Sequence, residues 1–255
     1  MKALLKVNDL SKNFGAVIAA EDINVTIGEE EVVGIIGANG AGKTTFVNII
    51  TGYVKPTAGS IRFQGRDITG LPPRKIIRMG ICRSFQITQL FPEMDVWENL
   101  MVSCTLLNNP LVRLTRPFKE KGFQDRVMST LTEFGISDYA HEAVSTLPQG
   151  VRKLLDIAMA MMGPTNLLLL DEPTSGVAIH EKFPLMDTIM ESVKKTGAAT
   201  IFIEHDMDIV KNYTDRIIAF YDGRVIADGP AGEVVKNEEV IRYVIGSKPA
   251  ADEEG

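Results

Sequence analysis

Gly37-Ala38-Asn39-Gly40-Ala41-Gly42-Lys43-Thr44-Thr45 follows directly on the apolar run Val32-Val33-Gly34-Ile35-Ile36. It fills the pattern Gly-x-x-x-x-Gly-Lys-Ser/Thr, with a buried strand (Glu31 to Ile36) before it and a helix through Phe46 to Ile50 after it, the context in which that pattern cradles phosphates. Glycines let the backbone turn tightly enough for consecutive N–H groups to point at one anion, and the helix beginning near Lys43 adds the positive end of its dipole. Lys43 is placed to neutralise β- and γ-phosphates, and the Thr44 hydroxyl to hold Mg²⁺.

The second informative stretch is Leu167-Leu168-Leu169-Leu170-Asp171-Glu172-Pro173. Alone, an apolar run ending in two carboxylates also describes a buried strand meeting a solvated turn. Beside a phosphate loop, Asp171 is the candidate to hold Mg²⁺ through water, and Glu172 to take a proton from the water that attacks the γ-phosphate. Two adjacent carboxylates would repel a polyphosphate without the cation, so the two assignments are linked. Gln86, after Ile81-Cys82-Arg83-Ser84-Phe85, and His205, after Thr200-Ile201-Phe202-Ile203-Glu204, also stand where strands end. Each alone could be a satisfied structural residue, but α/β sheets bind ligands outside the carboxyl ends of their strands. Gln86 is the candidate contact to Mg²⁺ and the attacking water, and His205 to the γ-phosphate.

Around these motifs the pattern is α/β. Strands are expected at Leu4 to Val7 and Val17 to Ile27 about the turn Asn13-Phe14-Gly15, at Ser60 to Phe63 before a Gln64-Gly65-Arg66-Asp67 turn, and at Thr200 to Ile203. A hairpin over Ile217 to Asp228 turns at Asp222-Gly223. Between about residues 88 and 162 helical signals dominate: a helix capped by Asp95, one over Arg126 to Phe134, and one over Arg152 to Met162 with Leu155, Ala158, Met159 and Met162 on one face. A further helix over Glu181 to Lys195 stops at Gly197. From the residues alone Phe14 reads as a core aromatic, and the last residues, 247–255, as a disordered acidic tail.

The 255 residues carry a formal charge of -6, which leaves no basic footprint for nucleic acid. No run approaches the length of a membrane span and the first residues do not form a signal peptide, so a cytoplasmic protein is expected. Cys82 and Cys104 are far apart and have no metal-spaced neighbours, which suits reduced packing residues.

The order and spacing of Gly37 to Thr45, Gln86, Asp171-Glu172-Pro173-Thr174-Ser175-Gly176 and His205 resemble the nucleotide-binding subunits of ATP-binding cassette (ABC) transporters over nearly the whole chain. Thr51-Gly52, Gly80 to Gln86, Glu204 to Val210 and Asp228-Gly229-Pro230 are similar to the ATPases of branched-chain amino acid uptake systems. The resemblance implies an α/β fold over residues 1–246: a P-loop ATPase core with a mixed sheet, an antiparallel β subdomain, and an inserted helical subdomain over about 87–162 that receives the membrane subunits. It implies ATP and Mg²⁺ as ligands, ATP hydrolysis coupled to import, and Phe14 as the aromatic that stacks on adenine. The implied partners are a second ATPase subunit, alike or different, transmembrane permease subunits, and an extracytoplasmic solute-binding protein. The implied place is the inner face of the cell membrane, as a peripheral subunit.

Two departures from the family pattern stand out. The signature, ideally Leu-Ser-Gly-Gly-Gln, falls on Leu147-Pro148-Gln149-Gly150-Val151, which lacks the serine hydroxyl that would reach a partner's γ-phosphate, and the aspartate expected after Ser175-Gly176-Val177 is Ala178. These changes fit a tolerated variant, a weak half-site, or a nucleotide switch that does not hydrolyse. Arg113, Arg116, Lys119 and Lys121 form a basic patch in an insertion containing Pro110 and Pro117, read either as a solvated loop or as a contact to lipid headgroups or the membrane partner.

Overall fold

The computed structural model describes residues 2–84, 90–108 and 121–246. Gln86, most of the basic run (Arg113, Arg116 and Lys119) and the tail 247–255 lie outside the described residues. In chain order the elements are β1 (Ala3–Phe14), β2 (Val17–Gly28), β3 (Val32–Gly37), α1 (Lys43–Ile50), β4 (Ala58–Phe63), β5 (Arg66–Asp67), α2 (Pro73–Arg78), β6 (Ile81–Arg83), α3 (Val96–Asn108), α4 (Lys121–Glu133), α5 (Gln149–Ala160), β7 (Leu167–Asp171), α6 (Ile179–Thr196), β8 (Ala199–Ile203), α7 (Met207–Tyr213), β9 (Arg216–Tyr221) and β10 (Arg224–Pro230). They fall into two compact units, Met1–Pro73 with Ile203–Gly255, and Arg74–Phe202.

In the first unit β2, β1, β4 and β5 form an antiparallel sheet in that order. Strand β1 is longer than the run Leu4 to Val7 suggests. Its pairing with β2 shifts register between Val7 and Leu10, where Asp9 takes φ 47°, so the polar Asn8-Asp9 pair bends the strand without ending it. Asn24 secures the bend: its Oδ1 accepts from Asp9 N at 2.9 Å and its Nδ2 donates to Asp9 Oδ1 at 3.0 Å. Arg66 and Asp67, expected in a turn, are strand residues paired with Phe63 and Arg62, because Gln64 and Gly65 alone complete a two-residue turn with φ 49° and 76°.

The same unit pairs β3 with β9 in parallel and β9 with β10 antiparallel, and the hairpin turns at Asp222-Gly223 as expected. Arg216 ties these strands together. Its Nε and Nη2 donate to the two Asp228 oxygens at 2.6 and 2.7 Å, while Nη1 donates to Glu31 at 3.0 Å and to the Thr26 carbonyl at 2.8 Å. Four charge-assisted bonds from one planar guanidinium fix the end of β2, the approach to β3 and both hairpin strands, and they raise the Arg216 pKa further. The phosphate loop leaves from the end of β3 and inherits this rigidity.

In the second unit β6 and β7 run parallel, with β8 beside β7. The four leucines of β7 are all buried, which explains an apolar run without alternation. Asp95 and Glu98 form a reciprocal cap at the start of α3: Asp95 Oδ1 accepts from Glu98 N at 2.7 Å, and Glu98 Oε2 from Asp95 N at 3.0 Å. Helix α4 starts at Lys121, ahead of the expected Arg126. Helix α5 ends at Ala160, so Met159 is half-buried on it while Met161 and Met162 pack into the core from the next turn. Gly197 closes α6 in the left-handed region, φ 66°. Cys82 and Cys104 are buried and form no disulfide, and burial pushes the Cys82 thiol up. Among the described residues no helix is long and apolar enough to cross a membrane.

Candidate functional site

The phosphate loop is shaped by close approach within the first unit. Gly42 holds φ 100°, and a Cβ there would lie 2.7 Å from the Ala19 carbonyl oxygen; a Cβ on Gly37 would lie 2.5 Å from that of Phe220. No other residue fits either place without moving backbone. The hairpin turn braces the loop, since Gly223 N donates to Ala41 O at 3.1 Å. Lys43 opens α1, is buried, and donates its Nζ to the Gly37 and Ala38 carbonyls at 2.6 and 2.9 Å. The cation thus sits inside the curl of its own loop, above the first N–H groups of a helix, which have no partner within it. Ala38, Asn39, Gly40 and Thr44 are exposed and Thr45 is half-buried, so the concave backbone and the Thr44 hydroxyl are open to a ligand. That arrangement suits a polyphosphate anion.

His205 lies in the same unit, exposed, between β8 and α7, and its main-chain N donates to the buried Glu204 carboxylate at 3.1 Å. Asp206 caps α7 by accepting from Asp208 N at 3.1 Å. Phe14 is 51% exposed, which corrects its reading as a core aromatic. It ends β1 beside the Gly15 turn, and Lys12 Nζ stands 4.9 Å from the ring centroid.

The carboxylates belong to the second unit. Asp171 ends β7, buried, and its Oδ2 accepts from Arg83 Nη2 at 2.7 Å. Glu172 follows at φ 49°, a left-handed backbone that costs a residue with a Cβ about 1–2 kcal/mol. Two bonds hold it there: Lys153 Nζ donates to the Glu172 carbonyl at 3.2 Å and Ser175 N to the same oxygen at 3.1 Å. The buried Lys153 on α5 therefore fixes the direction in which the Glu172 side chain leaves the strand end. Among the described residues no group of three or more His, Cys, Asp or Glu could hold a metal. The carboxylate oxygens of Asp171 and, in the first unit, the exposed Thr44 hydroxyl are each hard oxygen donors of the kind that suits Mg²⁺, which keeps several of its waters. Neither Arg83 nor Lys153 was legible as a site residue, because each acts through a partner brought by another element.

The signature segment opens α5 in this unit. Leu147 is buried, Pro148 is exposed at the N-cap with φ -56°, and Gln149, Gly150 and Val151 form the first helical turn, half-buried. Helix α5 therefore starts at Gln149 and not at Arg152, since the fixed φ of Pro148 lets it precede a helix that its missing N–H would interrupt. A Cβ on Gly150 would meet nothing within 4 Å, and the Gln149 side chain lies 3.6 Å from where Gly176 would carry one. Pro148 offers no side-chain cap, and neither does Ala178 at the N-cap of α6. Both departures from the family pattern thus fall on helix N-caps. Ala178→Asp should stabilise α6 by about 0.5–2 kcal/mol by accepting from its first N–H groups. A rise in the thermal midpoint tests this, and an unchanged or lower midpoint refutes the capping account.

The family model described as "ABC transporter" matches residues 20–175. The chain is 36% identical over 253 residues to the high-affinity branched-chain amino acid transport ATP-binding protein LivG of Salmonella typhimurium, covering 95% of this chain and 98% of that one. It is 34% identical over 255 residues to the corresponding protein BraF of Pseudomonas aeruginosa, covering 96% and 98%. Among solved structures, the ADP conformation of an ATP-binding cassette of an ABC transporter superposes with a TM-score of 0.85 at 30% identity, covering 94% of this chain and 98% of that one. The chain belongs to the ABC transporter family, as an ATP-binding subunit with ATPase activity.

Proposed function

We propose that this chain is the ATP-hydrolysing subunit of an importer for branched-chain or related amino acids or small polar solutes. The observation that carries the substrate reading is full-length similarity to LivG and BraF, both named for branched-chain amino acid transport. The site residues supply the chemistry. Gly37 to Thr45 wrap the phosphates, Lys43 offsets their charge, and Phe14, exposed beside Lys12, stacks on adenine. Thr44, Asp171 and Gln86 are the residues that would hold Mg²⁺, which when bound would spread the charge that builds on the γ-phosphate. Glu172 accepts the proton of the attacking water and His205 donates to the γ-phosphate.

Two such chains, or this one and a different ATPase subunit, close over two ATP molecules, with Leu147 to Val151 of each facing the nucleotide of the other. Closure pulls on permease subunits through the helical block over about 87–162. An extracytoplasmic solute-binding protein delivers the solute, and the chain sits on the inner face of the membrane. Reading the altered signature as a non-hydrolysing switch draws no support from the family. The test is to tag the chain in its own cells and purify it from detergent-extracted membranes. Permease subunits should come with it, and solute-loaded binding protein should raise ATP turnover in vesicles. Turnover that is indifferent to the membrane subunits, or raised by DNA or RNA, would overturn the proposal.

A further inference from the structure

Arg83 and Asp171 form an ion pair inside the second unit, at 2.7 Å with both side chains almost wholly buried. The pairing follows from strand register. Strands β6 and β7 run parallel with Arg83 beside Leu169, and Ser84 N donates to the Leu169 carbonyl at 2.9 Å. Asp171 is two residues beyond Leu169 and so on the same face, roughly 6.6 Å further along the strand. A long planar donor spans that diagonal, whereas a short polar residue on β6 would not.

A buried carboxylate needs a countercharge, and Arg83 provides one from the protein itself. The bond engages Oδ2 of Asp171, so it anchors that end of the carboxylate as well as balancing its charge. We propose that Arg83 is a positioning residue for the cation site: it holds Asp171 in place at the end of β7. This rests on the reading of Asp171 as a carboxylate that holds Mg²⁺. A bond that served only to stabilise the sheet would leave the cation dependence of nucleotide binding unchanged when removed.

The full-length chain carrying Arg83→Met or Arg83→Lys is titrated with Mn²⁺ while binding of a fluorescent ATP analogue is followed, and the analogue's affinity is also measured in EDTA. Residues that orient a metal-holding carboxylate are worth 10–100-fold in metal affinity, so Arg83→Met should raise the Mn²⁺ concentration for half-maximal effect about 10-fold or more, with affinity in EDTA within about 2-fold of the parent. Arg83→Lys keeps the charge but loses the planar reach, and should shift the Mn²⁺ curve by a smaller factor. An unshifted curve in folded Arg83→Met, or equal weakening with and without metal, would overturn the inference. If Arg83→Met does not fold, the Mn²⁺ curve of Arg83→Lys decides in the same way. Asp171→Asn separates the two readings. A lost Mn²⁺ response in Asp171→Asn beside a normal one in Arg83→Met defeats the role of Arg83 alone, and a normal response in Asp171→Asn defeats the reading of Asp171 itself.

Discussion

Glu172→Gln should lower ATP turnover by about 10²-fold or more while ATP binding persists. On the proposed reading the substitution removes the carboxylate that accepts the proton of the attacking water. Glutamine has nearly the same shape, and the contacts that hold residue 172 at φ 49° are made to its main-chain oxygen, by Lys153 and Ser175, so they survive. Asp171, its Arg83 partner and the phosphate loop are untouched. A loss of about 10²-fold in rate corresponds to roughly 2.7 kcal/mol of lost transition-state stabilisation, the size expected for a general base. Turnover and nucleotide affinity measured on the same preparation check it. Near-normal turnover rules out Glu172 as the base, and a parallel loss of binding would mean that the side chain serves the nucleotide and not the water.

The parts of this site that could be read from the chain are those whose physics is local. Gly37 and Gly42 are required by carbonyls 2.5 and 2.7 Å from where a Cβ would stand, and glycine at fixed spacing before Lys43 records that requirement directly. The Asp222-Gly223 hairpin and the Gly197 stop were legible for the same reason: each asks for a left-handed residue at one place. What was hidden depends on partners distant in sequence. Arg83 meets Asp171 across 88 residues, and Lys153 reaches the Glu172 carbonyl across 19, so neither has a local signature. Strand β1 was cut short because Asn8-Asp9 breaks the apolar alternation, and only pairing with Asn24 on β2 shows that the strand continues. Helix α7, seven residues long, is too short for a helical period to emerge, although the Asp206 cap marks its start. The exposure of Phe14 was hidden because burial of an aromatic is a property of its surroundings and not of its own residue type.

The largest difference between two otherwise matched experiments is expected when this chain is paired with a second ATPase subunit that carries an intact signature. Under the proposed reading each ATP lies between the phosphate loop of one chain and the signature segment of the other. This chain brings Lys43 and Glu172 to one site, and Leu147 to Val151 to the second. In that segment the N-cap position that would present a serine hydroxyl is Pro148, which has no donor, and Gly150 faces open space. One charge-assisted hydrogen bond to the γ-phosphate is worth roughly 1.5–3 kcal/mol, so the second site should be weaker by about 10- to 100-fold. Glu172→Gln in this chain should therefore nearly abolish turnover of the mixed dimer, whereas the equivalent change in the partner, which disables the site already weakened, should cost far less. The chain purified alone should hydrolyse ATP slowly, because a dimer of identical copies contains the weak segment at both sites. Pro148→Ser should raise that rate, and the new hydroxyl would also cap α5, so a gain in thermal midpoint without a gain in rate would show that the cap formed and the phosphate contact did not. Equal losses from the two glutamate changes, or brisk hydrolysis by the chain alone, would sink the asymmetric arrangement and mark Pro148-Gln149-Gly150 as a segment that closes a competent site through its backbone.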